Sequence, residues 1–203
     1  MMKVALVGAS GNAGSRLLQE LSDRNHTVTA IARNPERIAD LPGVTAMSAD
    51  LADTPAFVTA ITGHDAVISA LPFHTTDADT LIAAVQASGV SRYLVVGGAG
   101  SLKLPSGERV IDQPDFPDAY RPEASAGVAF LAKLKSTQGL EWTFLSPSAE
   151  FVPGNRTGVF RLSEDDLLVT EHGSRISFED FAVAMVDELE SPRHIRRRFT
   201  VGY

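Results

Sequence analysis

The stretch KVALVGASGNAG, residues 3–14, decides the fold. Lys3 to Val7 form a short apolar run suited to a buried strand. A turn with Gly8, Gly11 and Gly14 follows, and leads into a segment whose Leu17, Leu18 and Leu21 recur at helical spacing. Each glycine has a physical use in such a unit. Gly8 permits a tight turn off the strand, Gly11 lets the backbone approach a ligand with no Cβ in the way, and Gly14 lets the helix lie close to the sheet. The free N–H groups of the first helical turn, here those of Asn12 and Ala13, act with the helix dipole to attract an anionic group. Ser10 adds a hydroxyl donor. A pyrophosphate fits, so the expected ligand is a dinucleotide.

Outward from this unit, β-branched and apolar runs alternate with helical patterns. Val28–Ala32, Val44–Ser48, Ala66–Ala70 and Tyr93–Val96 read as the second to fifth strands. Phe57, Val58 and Ile61 mark one intervening helix. Leu81, Ile82 and Val85 mark another, opened by a Thr76–Asp79 capping box. Continuous apolar runs, as opposed to alternating ones, suit parallel strands covered on both faces. The expected fold is α/β: a single doubly wound Rossmann domain over residues 1–203, with sheet order 3-2-1-4-5-6, a short C-terminal strand and helices on both faces.

The second half is less regular. Leu102–Ala119 is polar and contains Pro105, Pro114 and Pro117, which reads as a long loop. A helix is expected over Ala124–Ser136, a sixth strand over Trp142–Leu145, and a hairpin over Val159–Thr170 turning at Asp165 and Asp166. Ser177 and Asp180 cap a final helix carrying Phe181, Met185 and Leu189 on one face. Arg193, His194, Arg196, Arg197 and Arg198 read as a solvated connection before a last strand, Phe199–Val201. The substrate region is expected from loop 98–122 and segment 146–175.

Composition excludes several classes. With no cysteine among 203 residues, disulfides, thiol catalysis, iron–sulfur clusters and cysteine zinc sites are ruled out. The five histidines are scattered, so no metal site is suggested. The net charge of −7 argues against general nucleic-acid affinity. No apolar run is long enough to span a bilayer and no signal-type leader is visible, so the expected location is cytoplasmic. The expected partner is a small molecule, with no nucleic acid and no membrane, and the chain is expected as a monomer or homodimer.

An NAD site places an acid at the end of the second strand to hold the ribose hydroxyls. Here that place is taken by Arg33, with Arg37 one turn further on. A guanidinium there suits a 2′-phosphate, so NADP(H) is favoured and NAD(H) remains possible. Asp50 after the third strand can accept from the adenine amino group, with Leu51 against the ring. Ser69, Ala70 and Leu71 end the fourth strand and are expected beside the cofactor ribose, and Gly97 and Gly98 follow the fifth. All lie at carboxyl ends of strands, where open α/β sheets bind ligands.

These features, with the segments GASGNAG (8–14), ARNPER (32–37), YLVVGGAGSL (93–102), DQPDFP (112–117), YRPEA (120–124), WTFLSP (142–147) and RISFEDFA (175–182), resemble the atypical short-chain dehydrogenase/reductase superfamily. Within it the chain is similar to the NADH-flavin reductase group, related to NmrA-like and biliverdin/flavin reductase proteins. The resemblance implies a bound nicotinamide cofactor and reduction of a flavin or quinone, with flavin as an acceptor and not as a permanent tenant. It also implies a place for Ser101 beside the nicotinamide.

The chain departs from the superfamily where the chemistry is usually done. A typical member has a Tyr with a Lys four residues on; here Ala124 stands four after Tyr120 and Gly97 four after Tyr93. Hydride transfer between stacked rings needs little protein acid, which fits a flavin or quinone. Ser101 and Tyr120 are the candidate catalytic residues, and His74, Pro147, Glu150 and Phe151 join them as candidates for the substrate region. Two alternatives stand beside this reading. One is an NmrA-like NADP-binding redox sensor with a protein partner and little catalysis. The other is an epimerase or dehydratase with tightly held NAD, which the Arg33 position and the missing Tyr–Lys pair weaken.

Overall fold

The computed structural model describes residues 1–203. In chain order the elements are β1 (Lys3–Val7), α1 (Asn12–Asp23), β2 (Thr27–Ala32), β3 (Val44–Ser48), α2 (Thr54–Ile61), β4 (Ala66–Ser69), α3 (Ala78–Ala87), β5 (Arg92–Val96), α4 (Arg121–Ser136), β6 (Glu141–Pro147), β7 (Glu150–Val152), β8 (Arg161–Ser163), β9 (Arg175–Ser177), α5 (Phe178–Glu190) and β10 (Arg197–Gly202). Eight strands form one sheet in the order β3-β2-β1-β4-β5-β6-β10-β8, parallel except for β8, which runs antiparallel to β10. This is the doubly wound arrangement expected from the alternation of elements. No helix is long and apolar enough to cross a membrane.

β1 lies between β2 and β4, and its alternate side chains feed opposite faces. Val4 and Leu6 pack into a core with α1 and α5 residues such as Leu17, Leu21, Phe181 and Met185. Ala5 and Val7 pack into a second core with Phe57, Leu81, Phe130 and Leu134 from α2, α3 and α4. A strand apolar at every position is thus required by two helical layers. β3 is the exception: it is an edge strand, and Thr45 to Ser48 are exposed.

Several local expectations are corrected. The cap of α3 is Asp77, whose carboxylate accepts from the Thr80 amide at 2.8 Å. Thr76 is not the cap, because its hydroxyl turns back to donate to the Pro72 carbonyl, and Asp79 pairs with Lys133 instead. Residues 159–170 form no hairpin. Only Arg161–Ser163 is a strand, and it pairs with β10, while Lys103 takes Asp165 and Leu167 as backbone partners. The 102–119 loop is held by this pairing and contains short 3-10 turns at Val110–Asp112 and Asp118–Tyr120. A small parallel pair, β7 with β9, was not foreseen. The capping of α5 by Ser177 is as expected, with the Ser177 hydroxyl accepting from the Asp180 amide at 2.9 Å.

The basic cluster at 193–198 is not a uniformly solvated connection. Arg196 and Arg197 are exposed, but the Arg193 and His194 amides donate to Glu188, and the His194 ring stacks on Phe199 with centroids 4.0 Å apart. Arg198 is buried inside β10, which starts two residues earlier than expected. Glu188 also pairs with Arg92 at 3.0 Å, both side chains less than a tenth exposed, and Arg92 donates on to Thr143 and the Glu141 carbonyl. This network ties α5 to the lower ends of β5 and β6. Replacing Glu188 with Ala strands the Arg92 charge in the interior, a loss expected to cost about 3–5 kcal/mol. Urea unfolding of the two proteins measures it; a loss below about 1 kcal/mol would show that water reaches Arg92 readily.

Candidate functional site

Two hollows lie side by side along the carboxyl ends of the central strands and share Gly11, Ala70, Leu71 and Pro72. Together they make one groove across the place where the strand order reverses from β1 to β4. The glycine turn forms its floor. Gly8 has φ of +83°, and a Cβ there would meet the Ala70 carbonyl oxygen at 2.5 Å. A Cβ on Gly14 would meet the Gly8 carbonyl oxygen at 2.0 Å, so α1 can press onto the turn only because residue 14 has no side chain. Gly11 is the N-cap of α1 and offers no side-chain oxygen to the first helical amides, unlike Asp53, Asp77 and Ser177 at the starts of α2, α3 and α5. The Asn12, Ala13 and Gly14 amides precede any intrahelical acceptor and are free for a ligand.

The hollow on the β2–β3 side has a volume of about 310 Å³. Ser10, Arg33, Asp50 and Leu51 line it, together with Ile31, Ala32 and Thr75, which sequence reasoning had not singled out. Arg33 is exposed and makes no ion pair within the protein, so its guanidinium is available to a ligand. Arg37 is also exposed and unpaired, but it stands in the 3-10 turn Pro35–Arg37 outside the lining. Asp50 accepts from the Ala52 amide at 3.0 Å, which fixes its carboxylate at the rim.

The larger hollow, about 480 Å³, runs from Gly11 and Asn12 past Gly97 and Gly98 to Ser101, Tyr120, Pro147 and Phe151. A Cβ on Gly98 would touch no protein atom within 4 Å, so what glycine does here is keep the groove clear. Phe73 and Val128 supply apolar walls, as do Val110 and Phe116, which the loop reading of 102–119 concealed. Tyr120 is 67% exposed at the outer margin. Tyr93 is wholly buried and shares a 2.8 Å hydrogen bond with Ser69, which is buried and lines neither hollow, contrary to its expected place beside the ribose; burial holds the Tyr93 phenol neutral, well above the ordinary range. Neither is accompanied by a lysine: Lys133, down α4, pairs with Asp79.

His74 does not line either hollow. Its ring Nδ1 lies 2.5 Å from Glu123, and that carboxylate also accepts from the Phe73 and His74 amides at 2.8 and 2.9 Å. Burial alone would raise the Glu123 pKa, but these donors outweigh it and hold the acid below its usual range. Glu123 lines the groove and His74 braces it from outside. Ala13 and Gly14, expected at the cofactor, also stay outside the lining.

The segment that follows Phe151 is clamped to α5. Asp180, fully buried, accepts from the Thr157 and Gly158 amides at 2.7 and 2.8 Å, from the Thr157 hydroxyl at 2.6 Å and from the Tyr203 hydroxyl at 2.8 Å. Glu179 takes the Gly154 amide and Glu20 takes Arg156. Only the Ser177–Asp180 spacing hinted at this, and it pointed to a cap, not to a clamp.

The comparisons with known proteins agree with this geometry. A family model described as NAD(P)H-binding matches residues 8–192. The chain belongs to that family. It is 39% identical to the uncharacterized protein YwnB of Bacillus subtilis (strain 168), over 98% of each chain. Among solved structures, a candidate epimerase from Bacteroides thetaiotaomicron is 41% identical over 99% of this chain and 96% of its own, with a TM-score of 0.93. A candidate NADH-flavin reductase from Streptococcus pneumoniae is 35% identical over 100% and 99%, with a TM-score of 0.82. The fold, the nicotinamide-dinucleotide family and the likeness to oxidoreductases are thereby established.

The Asp180 clamp carries a pH dependence with a definite sign. Burial alone would raise its pKa, but hydrogen bonds from Thr157, Gly158 and Tyr203 prevail and lower it below 3.8. Its stabilisation is therefore present above 3.8 and lost as pH falls through the lower folded value. Asp180→Asn is expected to reduce stability by about 1–3 kcal/mol at neutral pH. The gap from the unaltered protein, read from denaturant midpoints, closes as pH drops below 3.8. A gap of equal size at both ends of the pH range contradicts the assignment.

Proposed function

We propose that this protein is an NAD(P)H-dependent oxidoreductase that passes a hydride to a flavin or quinone-like acceptor, without a Tyr–Lys pair. The observation that carries the reading is the contrast between the two halves of one groove. One half carries the unpaired Arg33; the other begins at the free Asn12 amide beside the shared glycine turn, is walled by Phe73, Val110, Phe116, Val128 and Phe151, and has no lysine, arginine or histidine in its lining. A wall of that kind suits a flat, uncharged ring.

The glycine turn fits a dinucleotide, since its amides are free and a Cβ on Gly11 would be met only by the Gly8 carbonyl at 3.3 Å. Asn12 and Ala13 would receive the pyrophosphate, Asp50 and Leu51 the adenine, and Ala70, Leu71, Gly97 and Gly98 the ribose and ring beyond it. Arg33 supports NADP(H) over NAD(H), with Arg37 able to reach in from the flank. Bound there, the nicotinamide supplies the hydride. The protein's own contribution is to orient the two rings, to exclude water with the apolar walls, and to hydrogen-bond the acceptor through Ser101 and Tyr120. Solvent reaches the exposed Tyr120 margin and can supply the proton that completes the reduction. This reading takes the whole chain as one domain acting in the cytoplasm, as a monomer or homodimer, on a small molecule.

The test is a titration with NADPH and NADH, followed by an acceptor screen with riboflavin, FMN and quinones. Tighter NADPH binding and acceptor-dependent oxidation are expected. Arg33→Ala is expected to weaken NADPH binding about tenfold or more and NADH binding little, because one charge-assisted contact is lost. Equal losses for the two cofactors would remove Arg33 from the phosphate site. Binding without turnover on any acceptor would favour the sensor reading. Cofactor retained through purification would favour the epimerase reading, which the Bacteroides relative's description raises.

A further inference from the structure

Behind Ser101 lies a cation that nothing in the proposed reaction uses. Arg198 sits in β10 with its side chain 3% exposed. Its Nε donates to Asp165 at 2.7 Å, its Nη2 donates to the same carboxylate oxygen, and its Nη1 donates to the Ser101 hydroxyl oxygen at 3.3 Å. Asp165 is anchored in turn: its carbonyl accepts from the Lys103 amide at 2.8 Å, two residues past Ser101. Burial would raise the Asp165 pKa, but Arg198 outweighs it, so the carboxylate stays charged and the guanidinium stays clamped. Lys103 and Lys135 are the other charges acting on that carboxylate.

A guanidinium has donors and no acceptor. A hydroxyl that receives its N–H has one lone pair engaged and must spend its own proton elsewhere. Ser101 lines the larger hollow, and no other hydrogen bond of its hydroxyl occurs within the protein. We infer that Arg198, clamped by Asp165, is a positioning residue that makes Ser101 a one-way hydrogen-bond donor to the acceptor. This rests on the reductase reading above. When the acceptor has taken the hydride and its two electrons, negative charge lies on a ring heteroatom until water supplies a proton. Ser101, backed by a buried cation, stabilises that charge and keeps its own proton.

The chain has no cysteine, so Ser101→Cys introduces a single thiol whose ionisation is read from thiolate absorbance. With Arg198 present, the thiol is expected to titrate about one pH unit or more below the ordinary value of about 8.5. In Ser101→Cys/Arg198→Met it returns to that value or rises above it. Equal titration in the two proteins overturns the inference. This arm needs neither cofactor nor acceptor, so it stands or falls apart from the reductase reading, which fails separately if no acceptor is reduced.

The kinetic arm uses Ser101→Ala, Arg198→Met and their combination. Each single change is expected to lower kcat/KM for the acceptor about tenfold, with the NADPH Kd within about twofold of the starting value. In the Ser101→Ala background, Arg198→Met is expected to add little, since it acts through the missing hydroxyl. Additive losses, or a parallel loss of NADPH affinity, would show that Arg198 only supports the fold and would overturn the inference. Asp165 is 46% exposed and remains solvated without its partner, which favours folding of the Met variant. Arg198→Lys, keeping the charge, gives a second thiol titration, expected to fall between the other two; a value equal to that of the free thiol again overturns the inference.

Discussion

The groove depends on two carbonyl oxygens that occupy space a side chain would need. The Gly8 oxygen lies where a Cβ of residue 14 would be, and the Ala70 oxygen where a Cβ of residue 8 would be. The first contact presses α1 onto the turn and aims its unbonded amides across the strand ends. The second brings β4 close enough for Ala70 and Leu71 to floor both hollows. No hydrogen bond or ion pair could replace these contacts, because what they require is the absence of atoms. Everything else at the site is built on that spacing.

This explains why the first half was legible in the sequence and the second less so. A glycine forced by backbone contact leaves a fixed mark, and a strand buried on two faces is apolar throughout. β1, β2, β4 and β5 therefore stand out, and with them the positions of Ser10, Arg33, Asp50 and Gly98. Signals weaken where position depends on distant partners. Arg198 reads as one basic residue among several until β6 and loop 101–103 are seen to enclose it. Asp180 reads as part of a cap until Thr157 and Tyr203 are found on its carboxylate. Thr76 has the right spacing for a cap and loses that role to its neighbour, because its hydroxyl closes the turn at Phe73–Thr75.

Polarity is distributed as the proposed chemistry needs. Charge is kept near the glycine turn and the β2 end, where anionic groups belong. At the larger hollow the charged groups are engaged before they can reach a ligand: Glu123 by His74 and two amides, Arg198 by Asp165. A hydroxyl in such a setting meets little competition from water or mobile ions, and its orientation then matters more than its acidity.

The two hollows also differ in how far along the chain their residues are gathered. Every residue lining the smaller one falls between Val7 and Thr76. The larger one shares part of that early stretch, adds Phe73 from it, and draws the rest of its distinguishing walls from Val96 to Phe151, with Arg198 behind them. On the proposed reading the adenine and phosphate end of the cofactor is thus met by one contiguous passage, while the nicotinamide end, at Gly97 and Gly98, and the acceptor are met by a later one. Lineages sharing this architecture can rewrite the later walls while leaving the earlier passage untouched, so a common phosphate and adenine site can persist among proteins whose second substrates diverge.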